Sequence, residues 1–421
     1  MEKVSPDSEK RLLHGIARAL IEQQRLGIAR LTDPLIDYQP SDPLFAKPIY
    51  QASNQTEEVK PIGLSVGQAI ADFLAAKRPL WTQKTYLART VHLAYLSDFL
   101  GPDRTLAEVT SDDIRKFRKA LTMLRANHGR QKHLTFHERL TENTGAQVKD
   151  KTASLIFEPV KSFLKWAKEE DGLLTVNPAA DIKWQGVKGK KGAKLRRPFN
   201  PDELAILFGS TVFTGCQSQF RRFEPGSHVI KDDRYWIALL GFFTGARLGE
   251  LIQLHLDDVV LDNGLPYIDL NENSKMGDPK HIKSSAGVRQ IPLHPNVLEL
   301  GFGDFIEKRR SWKHASKRVF SRIAFGTDGQ ASTQFSKLFG RMLDKVGLGD
   351  PSLTFHSFRH GMEDMLRNAS LPQYTIDAIM GHSDGKVSSL YGNGPSLELK
   401  ANAINQIVLP LDLPALLIPS S

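Results

Sequence analysis

The segment from Thr354 to Tyr391 reads TFHSFRHGMEDMLRNASLPQYTIDAIMGHSDGKVSSLY and gathers groups suited to attack on a phosphodiester. His356 and Arg359 stand three residues apart, so on a helix both side chains leave one face and can converge on a small anion. The pair Gly381-His382 closes the next helical stretch, and Tyr391 follows nine residues after that histidine. The set comprises one guanidinium, two imidazoles and a phenol. A phenol ionises near pH 10, so as a nucleophile at neutral pH it needs a base or a strong positive field beside it.

No single piece is specific. His356 and His360 stand at i and i+4, a spacing that can hold a metal, but Ser357 occupies the place of the general-base glutamate in the zincin pattern, and no metal is expected. A second cationic centre strengthens the phosphate reading. Arg247, in TGARLGE, is expected in the first turn of a helix behind Thr244-Gly245, where free backbone N–H groups help to build an anion site. Glu250, three residues on, is placed to hold that guanidinium.

Taken in order, these residues make the chain resemble tyrosine recombinases of the phage-integrase type. The matching residues are Arg247 in ARLGE, Lys283 in HIKSSAGVRQIPL, His356 and Arg359 in HSFRH, His382 in GHSDG, and Tyr391. The likeness spans residues 65 to 405, and IPLHPNVLELGF and GHSDGKVSSLYG are similar to integrases carried by bacterial prophages and other mobile elements. It implies a site-specific DNA recombinase that works through a 3′-phosphotyrosyl intermediate. Tyr391 would be the nucleophile and His356 its acid/base neighbour. Arg247, Arg359 and His382 would oppose the charge that builds on the phosphate, and Lys283 would protonate the departing 5′ hydroxyl. Lys283 is preferred because its distance from the IPL strand looks most like the family's hairpin lysine, with Lys280 in reserve. Because the leaving strand stays tethered and the phosphotyrosine keeps the bond energy, neither ATP nor a metal nor another cofactor is required.

The implied partners are double-stranded DNA attachment sites, further copies of the chain forming a homotetramer on DNA, and an accessory DNA-bending or directionality protein. Two other activities remain open: nicking and resealing in the manner of a type IB topoisomerase, and DNA-binding regulation without catalysis.

The composition agrees with a nucleic-acid partner without requiring one. Lys and Arg number 56 against 47 Asp and Glu, a net charge of +9, and a basic balance favours a polyanion. The one cysteine, Cys216, excludes an intrachain disulfide and fits a reducing compartment. With neither an apolar leader at the N-terminus nor a run of about 18 apolar residues, no membrane association is expected, and the location expected is the bacterial cytoplasm at the nucleoid.

A chain of 421 residues must divide into several parts to position such a site. Residues 1–60 read as an extension with one helix, Ser8 to Leu26, carrying Leu12, Ile16, Leu20 and Ile21 as a stripe. Residues 61–182 read as a compact bundle of four or five helices, with Thr82 and Thr110 or Ser111 as N-caps. By resemblance this is the core-binding DNA domain, and Lys84 and Arg89 are among its candidate phosphate contacts.

Residues 183–198 hold a basic, glycine-containing linker, with Lys188, Lys190, Lys191, Lys194, Arg196 and Arg197 as further candidates. Residues 199–421 read as the catalytic domain. Its helices begin with PDELAILFG and the apolar DDRYWIALLGFFTG; LPYIDLNEN and VRQIPLH are strands around a polar loop; and the remainder, including FIEKRRSWKHASKRVFSRI, is helical. After Tyr391, Leu397, Ala401, Ile404 and Val408 fall at helical spacing. The tail LPLDLPALLIP, broken by prolines, is expected to be non-helical and to pack either on its own domain or, as the resemblance to the family implies, on a neighbouring copy. The fold class expected is mainly α with a small antiparallel sheet, the bundle and the catalytic domain closing on DNA as a C-shaped clamp.

Overall fold

The computed structural model describes residues 6–32, 40–43, 63–126, 134–141, 145–184, 196–262, 264–274, 280–282, 284–312, 316–382 and 394–418, with side chains of the first helix from 13 to 29 only. The chain divides into two compact units, residues 1–62 and 63–421.

In the first unit, helix α1 runs from Pro6 to Thr32, longer at both ends than the Ser8–Leu26 expected. Its polar side is tied to the short stretch 40–43. Arg18 pairs with Asp42, Nε to Oδ2 at 2.6 Å, and the buried Glu22 accepts the Ser41 N–H at 3.1 Å and pairs with Arg25 at 2.7 Å. Leu13, Ile16, Leu20, Ile21 and Ile28 stay about half exposed or more, so within this unit the apolar stripe is a surface.

The second unit holds two hydrophobic cores. The first is built by α2 (Val66–Lys77), α3 (Gln83–Leu100), α4 (Ser111–Leu121), α5 (Phe136–Thr141) and α6 (Asp150–Glu169). Sequence marks their starts directly. Thr82 Oγ1 accepts the Thr85 N–H that would otherwise be orphaned, and Thr110 and Asp113 form a reciprocal capping box. Helix α6 continues through Pro159, which is buried, as are Phe157, Val160 and Phe163 of the same helix. Proline usually breaks a helix interior; here buried residues before and after it, Ile156 and Phe157 and then Val160, Phe163 and Leu164, seat the helix in the core.

The second core spans Phe199 to Leu417. Its elements are α7 (Pro201–Phe208), α8 (Thr211–Thr214), α9 (Asp233–Thr244), α10 (Leu248–Ile252), β1 (Val259–Val260), β2 (Tyr267–Leu270), β3 (Arg289–Pro292), α11 (Pro295–Glu299), α12 (Phe302–Ser311), α13 (Ala331–Lys345), α14 (His356–Asn368), α15 (Gln373–Met380), α16 (Leu397–Asn405) and α17 (Leu413–Leu417). Helix α9 is buried on nearly every side, as its unbroken apolar run requires. The sheet is antiparallel in the order β1-β2-β3, with Tyr267 opposite Pro292 and Leu270 opposite Arg289. Strand β1 went unread because two residues carry no alternation.

Three expectations change. The helix beginning at Phe302 stops at Ser311, and residues 316–323 are irregular because the buried Arg309 guanidinium donates to the carbonyls of Val319 at 3.0 Å and Arg318 at 2.7 Å. Helix α16 ends at Asn405, so Val408 lies beyond it and is 85 % exposed. The tail does contain a helix: Pro414 sits in the first turn of α17, where its missing N–H costs nothing, and Asp412 caps it by accepting the Ala415 N–H. Leu413 and Leu417 are buried against α7, α8 and α11 of the same chain. No helix among the described residues is long and apolar enough to cross a membrane.

Replacing the fully buried Leu413 by alanine should destabilise the protein by about 2–5 kcal/mol in denaturant unfolding. An effect near zero would show that the tail is not part of this core in solution.

Candidate active site

The site is assembled where three helix ends meet. Helix α9 ends at Gly245 in the left-handed conformation (φ +61°), a backbone state that favours glycine. Two residues later Arg247 is the N-cap of α10, one position earlier than the first-turn place expected. The buried Glu250 accepts the Arg247 backbone N–H at 2.9 Å and its Nη1 at 2.8 Å, so one carboxylate caps the helix and aims the guanidinium. The Arg247 side chain keeps 30 % exposure, leaving it an open edge.

Helix α14 starts at His356, which puts Arg359 one turn into it and almost wholly inside the protein. Arg359 donates to Gly245 O at 3.0 Å and to Met380 O, and so joins the end of α9 to the end of α15. Helix α15 closes at Gly381 (φ +66°), where the N–H groups of Gly381 and His382 both return to Asp377 O, at 2.7 and 3.0 Å. Arg247 Nη2 reaches Gly381 O at 3.4 Å. Arg247, Arg359 and the Gly381-His382 turn, from positions 134 residues apart, therefore share one small region. A cavity of about 370 Å³ opens against Arg247 and Glu250, lined also by Gln83, Lys280 and Gln330.

Positive charge accumulates here in excess of the buried Glu250 carboxylate, and the titrating groups respond. Burial, then the charges of His360, Arg359, Arg196 and Arg247, hold His356 down to about 4, so its ring is neutral at neutral pH and keeps a lone pair. His382 is lowered by burial and by Arg359; its Nδ1 lies 3.7 Å from Asp377. Burial and the neighbouring Arg247 and Arg289 bring Arg359 down to about 10, still cationic at pH 7. Burial pushes the Glu250 carboxyl up, but Arg289 and then Arg247 outweigh it and keep it below its ordinary range.

The remaining candidates separate. Lys283 and Tyr391 lie outside the described residues, as do Lys188, Lys190, Lys191 and Lys194. Lys280, the reserve lysine, is buried with its ammonium on both Asp258 oxygens, at 2.7 and 2.5 Å, and on Asn271 Oδ1 at 2.9 Å, so it anchors the foot of the β2–β3 loop. Arg197 is taken up by Glu203 and Asp350, each at 2.7 Å. Arg89 stacks on Trp81 at 4.2 Å, Lys84 approaches Asp328 at 4.0 Å and Gln330 at 3.4 Å, and Arg196 is exposed.

One residue at the site was overlooked in the sequence. Arg289, on the core-facing side of β3, donates to Glu250 Oε2 at 3.1 Å and to Ile379 O at 2.7 Å. Its signal was a lone charge in phase with the apolar Ile291 of a short strand.

These helices, the small sheet and the paired arginines define an α-rich fold with an anion-directed centre. Residues 229–394 match the phage integrase family. A protein of Sinorhizobium fredii named as an integrase/recombinase, y4rA, is 25 % identical over 169 residues, covering 39 % of this chain and 36 % of the relative. A XerC-like tyrosine recombinase of Caldanaerobacter subterraneus is 21 % identical over 281 residues, 61 % of this chain and 66 % of the relative. The chain thus spans between about a third and two thirds of the curated relatives it matches. Among solved structures, the integrase of transposon Tn1549 in complex with a circular intermediate DNA superimposes with a TM-score of 0.51 at 18 % identity, over 81 % of this chain and 98 % of that one, a likeness of fold.

The depressed His356 has two measurable consequences. Its ring should titrate near pH 4 by NMR, and a midpoint at the ordinary 6.5 would show that it is not buried beside these cations. Because the unfolded chain binds this proton more readily, the ring's contribution to folding stability is present above about pH 6.5 and lost as the pH falls towards 4.

Proposed function

We propose that the protein is a site-specific DNA recombinase, an integrase that cuts and rejoins DNA through Tyr391 and integrates or excises a mobile element. The observation that carries this reading is the convergence of Arg247 and Arg359 with His382 beside a neutral His356. Paired planar guanidinium groups suit the non-bridging oxygens of a phosphodiester, and a neutral imidazole suits removal of a phenolic proton. The basic balance of the chain and the DNA held by the Tn1549 integrase favour DNA as the substrate.

In the cleavage step the Tyr391 oxygen bonds to phosphorus as its proton passes to His356. The P–O5′ bond breaks, and Lys283 delivers a proton to the departing oxygen. Arg247, Arg359 and His382 oppose the charge on the five-coordinate phosphorus, where preorganised donors act most strongly. Attack by the 5′ hydroxyl of a partner strand reverses the step and completes the exchange. The duplex attachment site lies between the cores of residues 66–182 and 199–417, with Lys84, Arg89, Arg196 and the linker lysines Lys188, Lys190, Lys191 and Lys194 along its backbone. Four copies act together on paired sites, with an accessory DNA-bending or directionality protein selecting the outcome.

On a nicked suicide duplex the protein should form a covalent DNA adduct that Tyr391→Phe abolishes. An adduct that survives this change would place the nucleophile elsewhere. Lys283→Ala should cut an ordinary duplex about 10²–10⁴-fold more slowly, the usual range for a lost general acid. It should recover on a duplex whose 5′ leaving oxygen is replaced by sulfur, which departs without a proton. No recovery would remove Lys283 from the proton-donor role.

A further inference from the structure

Arg289 opens β3 with its side chain turned into the second core and only 4 % exposed. Each of its donor groups meets a different piece of backbone or side chain around the site. Nε donates to Ile379 O at 2.7 Å, Nη1 to Gly287 O at 2.8 Å, and Nη2 to Glu250 Oε2 at 3.1 Å. Ile379 lies two residues before Gly381 on α15, Gly287 ends the turn that leads into β3, and Glu250 carries Arg247 on its other oxygen.

The packing around this guanidinium is tight. A Cβ placed on Gly381 would stand 2.7 Å from Arg289 Nη1 and 2.8 Å from Ala286 O, so the turn bearing His382 rests directly on the arginine. Glu250 is buried between two cations, and neither oxygen is idle. Removing Arg289 would leave Ile379 O without this donor and Glu250 with a single cation, freeing the carboxylate to turn and carry Arg247 with it.

We propose that Arg289 is a positioning residue for strand cleavage: through Glu250 it sets the Arg247 guanidinium against the Gly381-His382 turn. The proposal rests on the reading of Arg247 as the group that opposes charge on a non-bridging phosphate oxygen. Arg289→Lys keeps the positive charge but cannot span three acceptors, whereas Arg289→Met removes charge and donors together.

The test measures single-turnover cleavage of a suicide duplex by the full chain, its Arg289→Lys and Arg289→Met variants, and Arg247→Ala. Each is assayed on an ordinary scissile phosphate and on a neutral methylphosphonate at the same position, with duplex affinity and thermal unfolding measured alongside. On the phosphate, the Arg289 variants should cut about 10- to 100-fold more slowly, the range for losing a group that orients another, and Arg247→Ala about 100- to 1,000-fold more slowly. On the methylphosphonate, which has no charge for Arg247 to oppose, all of them should approach the parent's rate on that substrate.

If Arg247→Ala recovers but the Arg289 variants stay slow on both substrates, Arg289 is a structural support only and the proposal is overturned. If Arg247→Ala itself fails to recover, the reading of Arg247 falls and takes the proposal with it. Should Arg289→Met unfold, Arg289→Lys carries the comparison, and full activity of that variant on the phosphate also overturns the proposal.

Discussion

A single buried carboxylate governs the geometry of this centre. Glu250 lies between the guanidinium groups of Arg247 and Arg289, closes the N-terminus of α10 and is almost wholly buried. Burying a charge is costly unless it is paired and hydrogen-bonded, and the cost of unpairing such a group exceeds what the pair contributes when whole. That asymmetry turns Arg247 and Glu250, one turn apart, and the distant Arg289 into a fixed unit. Arg247 can then present one edge outward because its other edge is held.

Around that unit the backbone supplies the remaining acceptors. Helices α9 and α15 both end in left-handed glycines, which turn the carbonyls of Gly245, Met380 and Gly381 towards the arginines. A helix end normally leaves its last carbonyls to water or to a cap. Here buried or half-buried guanidinium groups take that place, so the elements are joined to each other by the groups that would face the substrate. Burial first, and then the excess of positive charge, make the imidazoles hard to protonate, and the field that would steady a phosphate helps to keep His356 neutral.

The architecture was open to sequence reading wherever one chemical signal dominated. Apolar periodicity located α3, α4, α6, α7 and α13, caps at Thr82 and Thr110 marked the starts of α3 and α4, and short Ile- and Val-rich runs located β2 and β3. The mainly α class with a small antiparallel sheet follows from those patterns. Reading failed where a distant group overrode local preference. Residues 316–323 carry a helical pattern, but the Arg309 guanidinium draws their carbonyls into a turn. Prolines in the tail argued against any helix, yet Pro414 occupies a first turn that accepts it, and α17 packs against the distant α7, α8 and α11.

The sequence by itself determined which residue types were present, in what order, and on which faces of local elements they lay. Spacing alone put His356 and Arg359 on one helical face and Glu250 within reach of Arg247, because those relations span a single turn. Tertiary structure alone decided that Arg359 would brace Gly245, that Lys280 would be buried on Asp258, and that Arg289 would share Glu250. Those pairings depend on the packing of α9, α14, α15 and the sheet about one core, and contacts between segments so far apart leave no periodic trace in a single chain.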